Sequence, residues 1–350
     1  MGSKPLATKE GKAALLRALE AVGVPESALE RTDKGAPSFS ADSVRTACAG
    51  RGEEAERLAN AVAVLAGQRS MAKIILDEAD ADGFVRPDIF AFQRSGRFST
   101  TKPGLTVWDA DNKDLLIADD DDELLVEFDF SNADARAVAA MSGDRKFAER
   151  FEPGQDGHLI NAWLLWGKET VGLDKHAQHT AEYRQRAKAP GHGIGYNMGA
   201  WKMAQTTGLS MKECKTFIAN YRREYNGVTR WQERVVARAE RMGFVVSEWG
   251  RRMPVERGRE HTQAVGLLGQ NATHEILCEG LMALDDRRLS QIKLTIHDAF
   301  IASIRRDRLE EDIAYYVKTF TRTWHPRGGQ AVDFTLGYGV PARDWKTACH

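Results

Sequence analysis

The segment LLVEFDFSNADARAVAAMSGD, residues 124–144, is the stretch from which the rest of the chain can be read. LLVEFDF is a compact apolar strand bounded by charge, and Asp129 sits at its end. From Asp134 to about Arg241 the spacing of apolar residues turns mostly helical. Strand-like sequence returns in GFVVSEWGRRMPV (243–255), and a helix is predicted from about Thr262 to Leu289. IKLTIHDAFIASI (292–304) then places the turn dipeptide His297-Asp298 between two apolar, β-branched runs, the pattern of a hairpin. A last helix, the strand VDFTLGYGV (332–340) and RDWKTACH complete the chain. Strand, long helical insertion and strands again predict an α+β fold in which a helical unit interrupts a sheet. A sheet assembled from such distant segments can bring Asp129 and Asp298 together.

Upstream, AALLRALEAVGV (13–24) and AERLANAVAVLAGQRSMAKIIL (55–76) carry helical apolar spacing. Between them KGAPSFSADSV has the Gly, Pro and Ser content of a loop leading into a capped helix. VRPDIFAFQRSGRFSTTKPGL (85–105) reads as short strands broken by turns. The chain of 350 residues, 42% hydrophobic, is long enough to bury a substantial core. It holds no run of eighteen apolar residues and no apolar stretch in MGSKPLATKEGK, so a cytoplasmic location and no membrane partner are expected. Cys48, Cys214, Cys278 and Cys349 are too scattered for a disulfide framework or a zinc site.

Net charge is −1, which does not announce a polyanion binder, but its distribution is uneven. Residues 181–260 hold sixteen Lys and Arg against eight Asp and Glu, whereas 109–129 is strongly acidic around Asp119, Asp120, Asp121, Asp122 and Glu123. Each segment is either a solvated face or a place for phosphates and for cations, respectively. Asp129 and Asp298 each stand at the end or turn of a β segment, where a carboxylate projects from a rigid support. Paired carboxylates of this kind suit Mg²⁺, a hard ion that completes its shell with substrate phosphates. Two such ions roughly 3.5–4 Å apart would activate an attacking hydroxyl and stabilise the group that leaves. HAQH, 176–179, has metal-ligand spacing on a helix but no third ligand in view.

The chain resembles family A DNA polymerases from about Lys34 to His350. Three ordered motifs carry the resemblance: the opening segment; RQRAKAPGHGIGYNMG (184–199), with Arg184, Lys188 and Tyr196 at the family's four- and eight-residue spacing; and TIHDAF (295–300). Five flanks agree: SGRFSTTKPGL, FEPGQDGHLINA, WGRRMPV, LLGQNATHEI and the terminal RDW. The resemblance implies a right-hand polymerase fold with an antiparallel-sheet palm, helical fingers and a reduced helical thumb. It divides the chain into a thumb-like region over 1–82, palm over 83–158 and 261–350, and fingers over 159–260. It further implies that Asp129 and Asp298 are catalytic and bind two Mg²⁺ ions, with Mn²⁺ as a substitute and the Phe130 carbonyl assisting. Arg184 and Lys188, with His158 nearby, would hold the triphosphate of an incoming dNTP. Tyr196 would lie beside the templating base, and Arg97, Arg136, Gln270 and His297 would touch the primer-template DNA. Independently, residues at i and i+4 share a helix face, and Arg and Lys suit phosphate.

Departures from the family pattern gather at the nucleotide pocket. Asp134 stands where the family has Glu against the sugar 2′ position, shorter by roughly 1.5 Å. One methylene is worth about 1–3 kcal/mol, so exclusion of ribonucleotides (rNTPs) would fall by roughly 10–200-fold unless the backbone shifts to close the gap. His192 replaces the aromatic residue associated with the sugar 3′ position, and Ala299 replaces a Glu auxiliary to the metal-binding Asp. Gly266 and Thr262 remove two minor-groove contacts, so low processivity is expected. Pro190 is unexpected inside a helix: either the helix kinks there, or it starts there and Arg184 and Lys188 stand on a separate turn. With too few residues ahead of the first motif for an exonuclease, the reading is a phage- or plasmid-like polymerase that extends a primer without proofreading. A ribonucleotide-accepting primase or RNA-polymerase-like relative is the alternative, and a degenerate fold that only binds DNA is a second.

Overall fold

The computed structural model describes residues 8–32, 35–91, 93–108 and 110–349. The first seven residues, the start of MGSKPLATKEGK, lie outside it, as do Lys34 and His350 at the limits of the resemblance and Asp109 at the head of the acidic stretch. The chain forms two compact units, residues 1–89 with 100–115, and residues 90–99 with 116–350.

The first unit is helical. Helices α1 (Lys9–Ala21), α2 (Ala41–Cys48) and α3 (Glu53–Glu78) follow the two apolar-periodic stretches. Thr8 caps α1 by accepting from the Gly11 amide at 3.0 Å, and Ser40 caps α2 from Ser43 at 3.2 Å. Leu15 and Leu19, one turn apart, close on Val24, Val44, Cys48 and Val62, all buried. Strands β1 (Asp88–Phe90) and β2 (Ser99–Thr101) stand where the chain leaves this unit and returns to it.

The second unit is built around β3 (Glu123–Phe130). Nine helices follow: α4 (Ala133–Ser142), α5 (Arg145–Ala148), α6 (Gly157–Trp166), α7 (Lys168–Val171), α8 (Gln178–Arg186), α9 (Lys188–Gly195), α10 (Ala200–Thr207), α11 (Met211–Glu224) and α12 (Asn226–Met242). A hairpin of β4 (Phe244–Val246) and β5 (Arg252–Pro254) leads into α13 (Glu260–Met282) and α14 (Asp286–Gln291). Then come β6 (Ile292–Ile296), β7 (Ala299–Arg305), α15 (Leu309–Phe320), β8 (Arg322–Trp324), β9 (Val332–Phe334), β10 (Leu336–Tyr338) and α16 (Trp345–Ala348). The main sheet is antiparallel in the order β10-β3-β7-β6, so the predicted α+β architecture holds and the first motif occupies an inner strand.

Period-two alternation explains how β3 serves both core and site. Val126, Phe128 and Phe130 are buried together, and Phe128 stacks on Phe300 of β7 at 4.8 Å between ring centroids and meets Tyr316 of α15 at 5.0 Å. Each such ring contributes about 2–3 kcal/mol of burial. Glu127 and Asp129 therefore fall on the opposite face. Beneath the sheet, the buried Asp312 of α15 accepts from Arg287 at 2.7 Å, Arg288 at 2.9 Å and Gln291 at 2.8 Å, tying α14 to α15.

Two predicted elements divide. The helix expected over Thr262–Leu289 stops at Met282, and Asp285 caps a second helix by accepting from the Arg288 amide at 2.9 Å. VDFTLGYGV is two strands: β9 pairs with β8, and β10 pairs with β3. Both halves have the same β-type composition, so only partner geometry distinguishes them.

Candidate active site

Strand register brings the two aspartates together. Asp129 lies opposite Ala299 at the start of β7, and Asp298 is the residue just before it, in the two-residue turn between β6 and β7. His297 makes that turn with φ at 56°, a left-handed conformation that His tolerates better than most residues. Burial, then the charges of Asp298 and Glu127, push the Asp129 carboxyl up to about 7. Burial and Asp134 raise Asp298 to about 6, with Arg97 opposing. Two carboxyls this reluctant to ionise are stabilised as anions by a divalent cation. Asp129, Asp298 and the Phe130 carbonyl are all oxygen donors, the set a hard ion takes. Among the described residues there is no cluster of three or more acidic, His or Cys side chains that could hold a metal.

Both aspartates line a cavity of about 480 Å³ that also reaches Phe130, Asp134, His158, His192, Tyr196, Arg97 and His297. Asp134 is its hub. It pairs with Arg97 at 3.0 Å and accepts the Tyr196 hydroxyl, while Thr273 of α13 bonds both Arg97 at 3.1 Å and Asp134 at 3.4 Å. Burial, and then Asp134, hold the Tyr196 phenol far above its ordinary range, so it stays a neutral donor. His192, one turn earlier on α9, meets the Tyr196 ring edge-on at 5.0 Å. Burial and the charge of Arg184 keep the His158 imidazole below its usual value, and its Nδ1 is buried without a partner.

Arg184 and Lys188 do not border the cavity. Helix α8 ends at Arg186 and α9 begins at Lys188, so the two cations stand on successive helices. Pro190 is the third residue of α9, within the first turn, where an amide has no helical partner to lose. The junction is smooth, with Ala187 at φ −81° and ψ −9°. Arg184 pairs with Asp156 at 2.7 Å, and Asp156 caps α6 through the amides of His158 and Leu159. Arg136 is buried, donating to the carbonyls of Ser131 and Asp333, and Gln270 lies on α13; neither borders the cavity. His179 is held by the Thr170 carbonyl at 2.8 Å. Residues that the sequence did not single out include Thr273, Arg150 and Asn161. Thr273 sits inside the polar stretch QNATHE of a helix and Arg150 inside a charged one, so no periodicity singles them out.

The fold is that of a polymerase domain. It resembles the POL domain of Pol1 from M. smegmatis, solved in complex with DNA primer-template and dNTP, with a TM-score of 0.76 and 20% identity over 99% of this chain and 62% of that one. The chain belongs to DNA polymerase family A, whose sequence profile matches residues 63–326. It is 29% identical to the DNA polymerase of Mycobacterium phage D29 over 190 residues, 54% of this chain and 30% of that protein. It is 28% identical to DNA polymerase I of Lactococcus lactis over 204 residues, and 25% identical to thermostable DNA polymerase I of Thermus aquaticus over 238. Those alignments take in 54% and 64% of this chain, but only 23% and 27% of the relatives.

Proposed function

We propose that this chain adds dNTPs to a primer 3′-hydroxyl under the direction of a DNA template. The observation that carries the reading is the register of β3 with β7, which sets Asp129 beside the turn that carries Asp298, both lining one cavity. In this reading Asp129, Asp298 and the Phe130 carbonyl hold two Mg²⁺ ions, whose chemistry is to activate the primer hydroxyl and stabilise the departing pyrophosphate. The triphosphate is met by His158 at the cavity wall and, from beyond that wall, by Lys188 and by Arg184 on release from Asp156. Tyr196 and His192 present aromatic surfaces to the base and sugar. Asp134, fixed by Tyr196, Arg97 and Thr273, bounds the sugar. His297, Arg97, Arg136 and Gln270 belong to the primer-template side. The division into thumb-like, palm and fingers segments at 82, 158 and 260 is part of the same reading.

The ribonucleotide-accepting alternative is favoured by one observation, the short Asp134 side chain already engaged by three partners. Primer extension on a defined template, with dNTPs and rNTPs compared in Mg²⁺ and then Mn²⁺, separates the readings. dNTP addition that disappears in Asp129→Ala and in Asp298→Ala, with primer-template binding retained, is the expected result. Extension by a pure Asp298→Ala protein would sink it.

A further inference from the structure

The sequence FAERFEPGQDGHLINA contains a buried arginine with no ion pair among the described residues. Arg150, in the single turn of 3₁₀ helix after α5, is 7% exposed, and among the described residues no acidic side chain pairs with it. Its Nη2 donates to the Gly157 carbonyl at 2.6 Å and to Asn161 Oδ1 at 2.8 Å. The rings of Phe147 and Tyr225 lie 4.8 and 5.2 Å from the guanidinium, while its Nε has no hydrogen-bond partner. An unpaired buried cation is expensive, so its rigid placement calls for a reason.

Asn161 of α6, 3% exposed, supplies one. With Oδ1 held by Arg150, its Nδ2 faces Gly191 of α9. A Cβ at Gly191 would stand 1.9 Å from Nδ2, 2.8 Å from Cγ and 3.5 Å from Cβ of Asn161. Helix α9 thus comes this near to α6 only because position 191 has no side chain, and it comes no nearer because the amide blocks it. His192 is the next residue, and Tyr196 follows on the same segment with its hydroxyl on Asp134. A shift of α9 at Gly191 is therefore a shift of Tyr196 relative to Asp134.

We infer that Arg150 and Asn161 are positioning residues: a buried strut, braced between Phe147 and Tyr225, that sets the resting distance of α9 from α6 and so the depth of the cavity at its nucleotide end. The inference rests on the polymerase reading for the identity of the ligand, but the strut itself is independent of it. Arg150, Asn161 and Gly191 all border the cavity, so the device acts at its wall.

The test is a second-site rescue. In a helix, Gly→Ala is ordinarily stabilising, so a loss in Gly191→Ala reports the clash. Gly191→Ala should raise the dNTP KM by about tenfold or more with kcat changed less than about threefold. Asn161→Ala removes both contacts under 3.0 Å and keeps that with Cβ at 3.5 Å, an ordinary separation, so the Asn161→Ala/Gly191→Ala protein should return to the KM of Asn161→Ala alone. Arg150→Met should also raise KM, and the Arg150→Met/Asn161→Ala pair should be non-additive, as for residues acting through one contact. A merely structural role would lower the fraction of active enzyme, hence apparent kcat, and leave KM in place. Thermal unfolding of the same proteins keeps the two proposals apart. If the wild type extends no primer, the polymerase reading fails, while a lowered Tm in Gly191→Ala restored by Asn161→Ala still supports the strut. If Gly191→Ala matches wild type in KM and Tm, or Asn161→Ala brings no relief, the strut is overturned.

Discussion

Asp134 accepts the Tyr196 hydroxyl and the Arg97 guanidinium, and this engagement fixes a carboxylate one methylene shorter than the family's glutamate. Asp134→Glu should raise the preference for dNTP over rNTP, by roughly 10–200-fold on the value of one methylene. Competitive primer extension measures it, and an unchanged ratio removes this account of the position. Asp129 makes a second expectation. Its folded pKa of about 7 lies above the ordinary carboxylate value, so between roughly pH 4 and 7 the native state binds the extra proton and stability falls as pH rises. In metal-free buffer Asp129→Asn should therefore be more stable than wild type at pH 8, by up to about 4 kcal/mol, and gain little at pH 4. Adding Mg²⁺ should raise the Tm of the wild type and not of Asp129→Asn. A calorimetric series across pH reads both, and a constant difference from pH 4 to 8 would contradict the assignment.

Elements carry the supports of these residues. The Asp312 cluster joins α14 to α15 beneath the sheet whose β6–β7 turn holds Asp298. Burial works against its charge, yet the hydrogen bonds from Arg287 and Gln291 prevail and hold the carboxyl below its usual range. A depressed pKa contributes stability above the unfolded value of about 3.9 and loses it as pH falls through the folded value, so this cluster fails only in acid. Asp312→Asn removes the carboxylate that Arg287 and Arg288 share, leaving Arg288 its pairs with Asp285 and Glu311, and should cost about 2 kcal/mol, seen as a lower urea midpoint at unchanged m-value. At this scale the sequence was partly legible. The strand LLVEFDF and the His297-Asp298 hairpin were visible from alternation and turn chemistry. The break between Arg184 and Lys188 was not, because Pro190 signals an interruption near a helix start without saying which residue before it ends the previous helix.

Across the whole molecule, the net charge of −1 conceals the basic excess over residues 181–260. Primer-template affinity should therefore depend on salt as for a cationic protein, weakening on the order of tenfold or more between 50 and 200 mM salt. Fluorescence anisotropy of labelled DNA reads this, and a flat salt response would dissociate that segment from the nucleic acid. No helix among the described residues is long and apolar enough to cross a membrane. What the amino-acid order determined alone was local: a strand ending in Asp129, a hairpin turning at Asp298, helices between them, and the identity of chemically apt side chains. Those follow from neighbours two to four positions apart, where periodicity acts. Tertiary structure alone decided that Asp129 faces Ala299, that VDFTLGYGV serves two sheets, that Thr273 reaches Asp134, and that Gly191 rests on Asn161. Such pairings join residues tens to hundreds of positions apart, and their energies come from packing and desolvation, which no local pattern encodes.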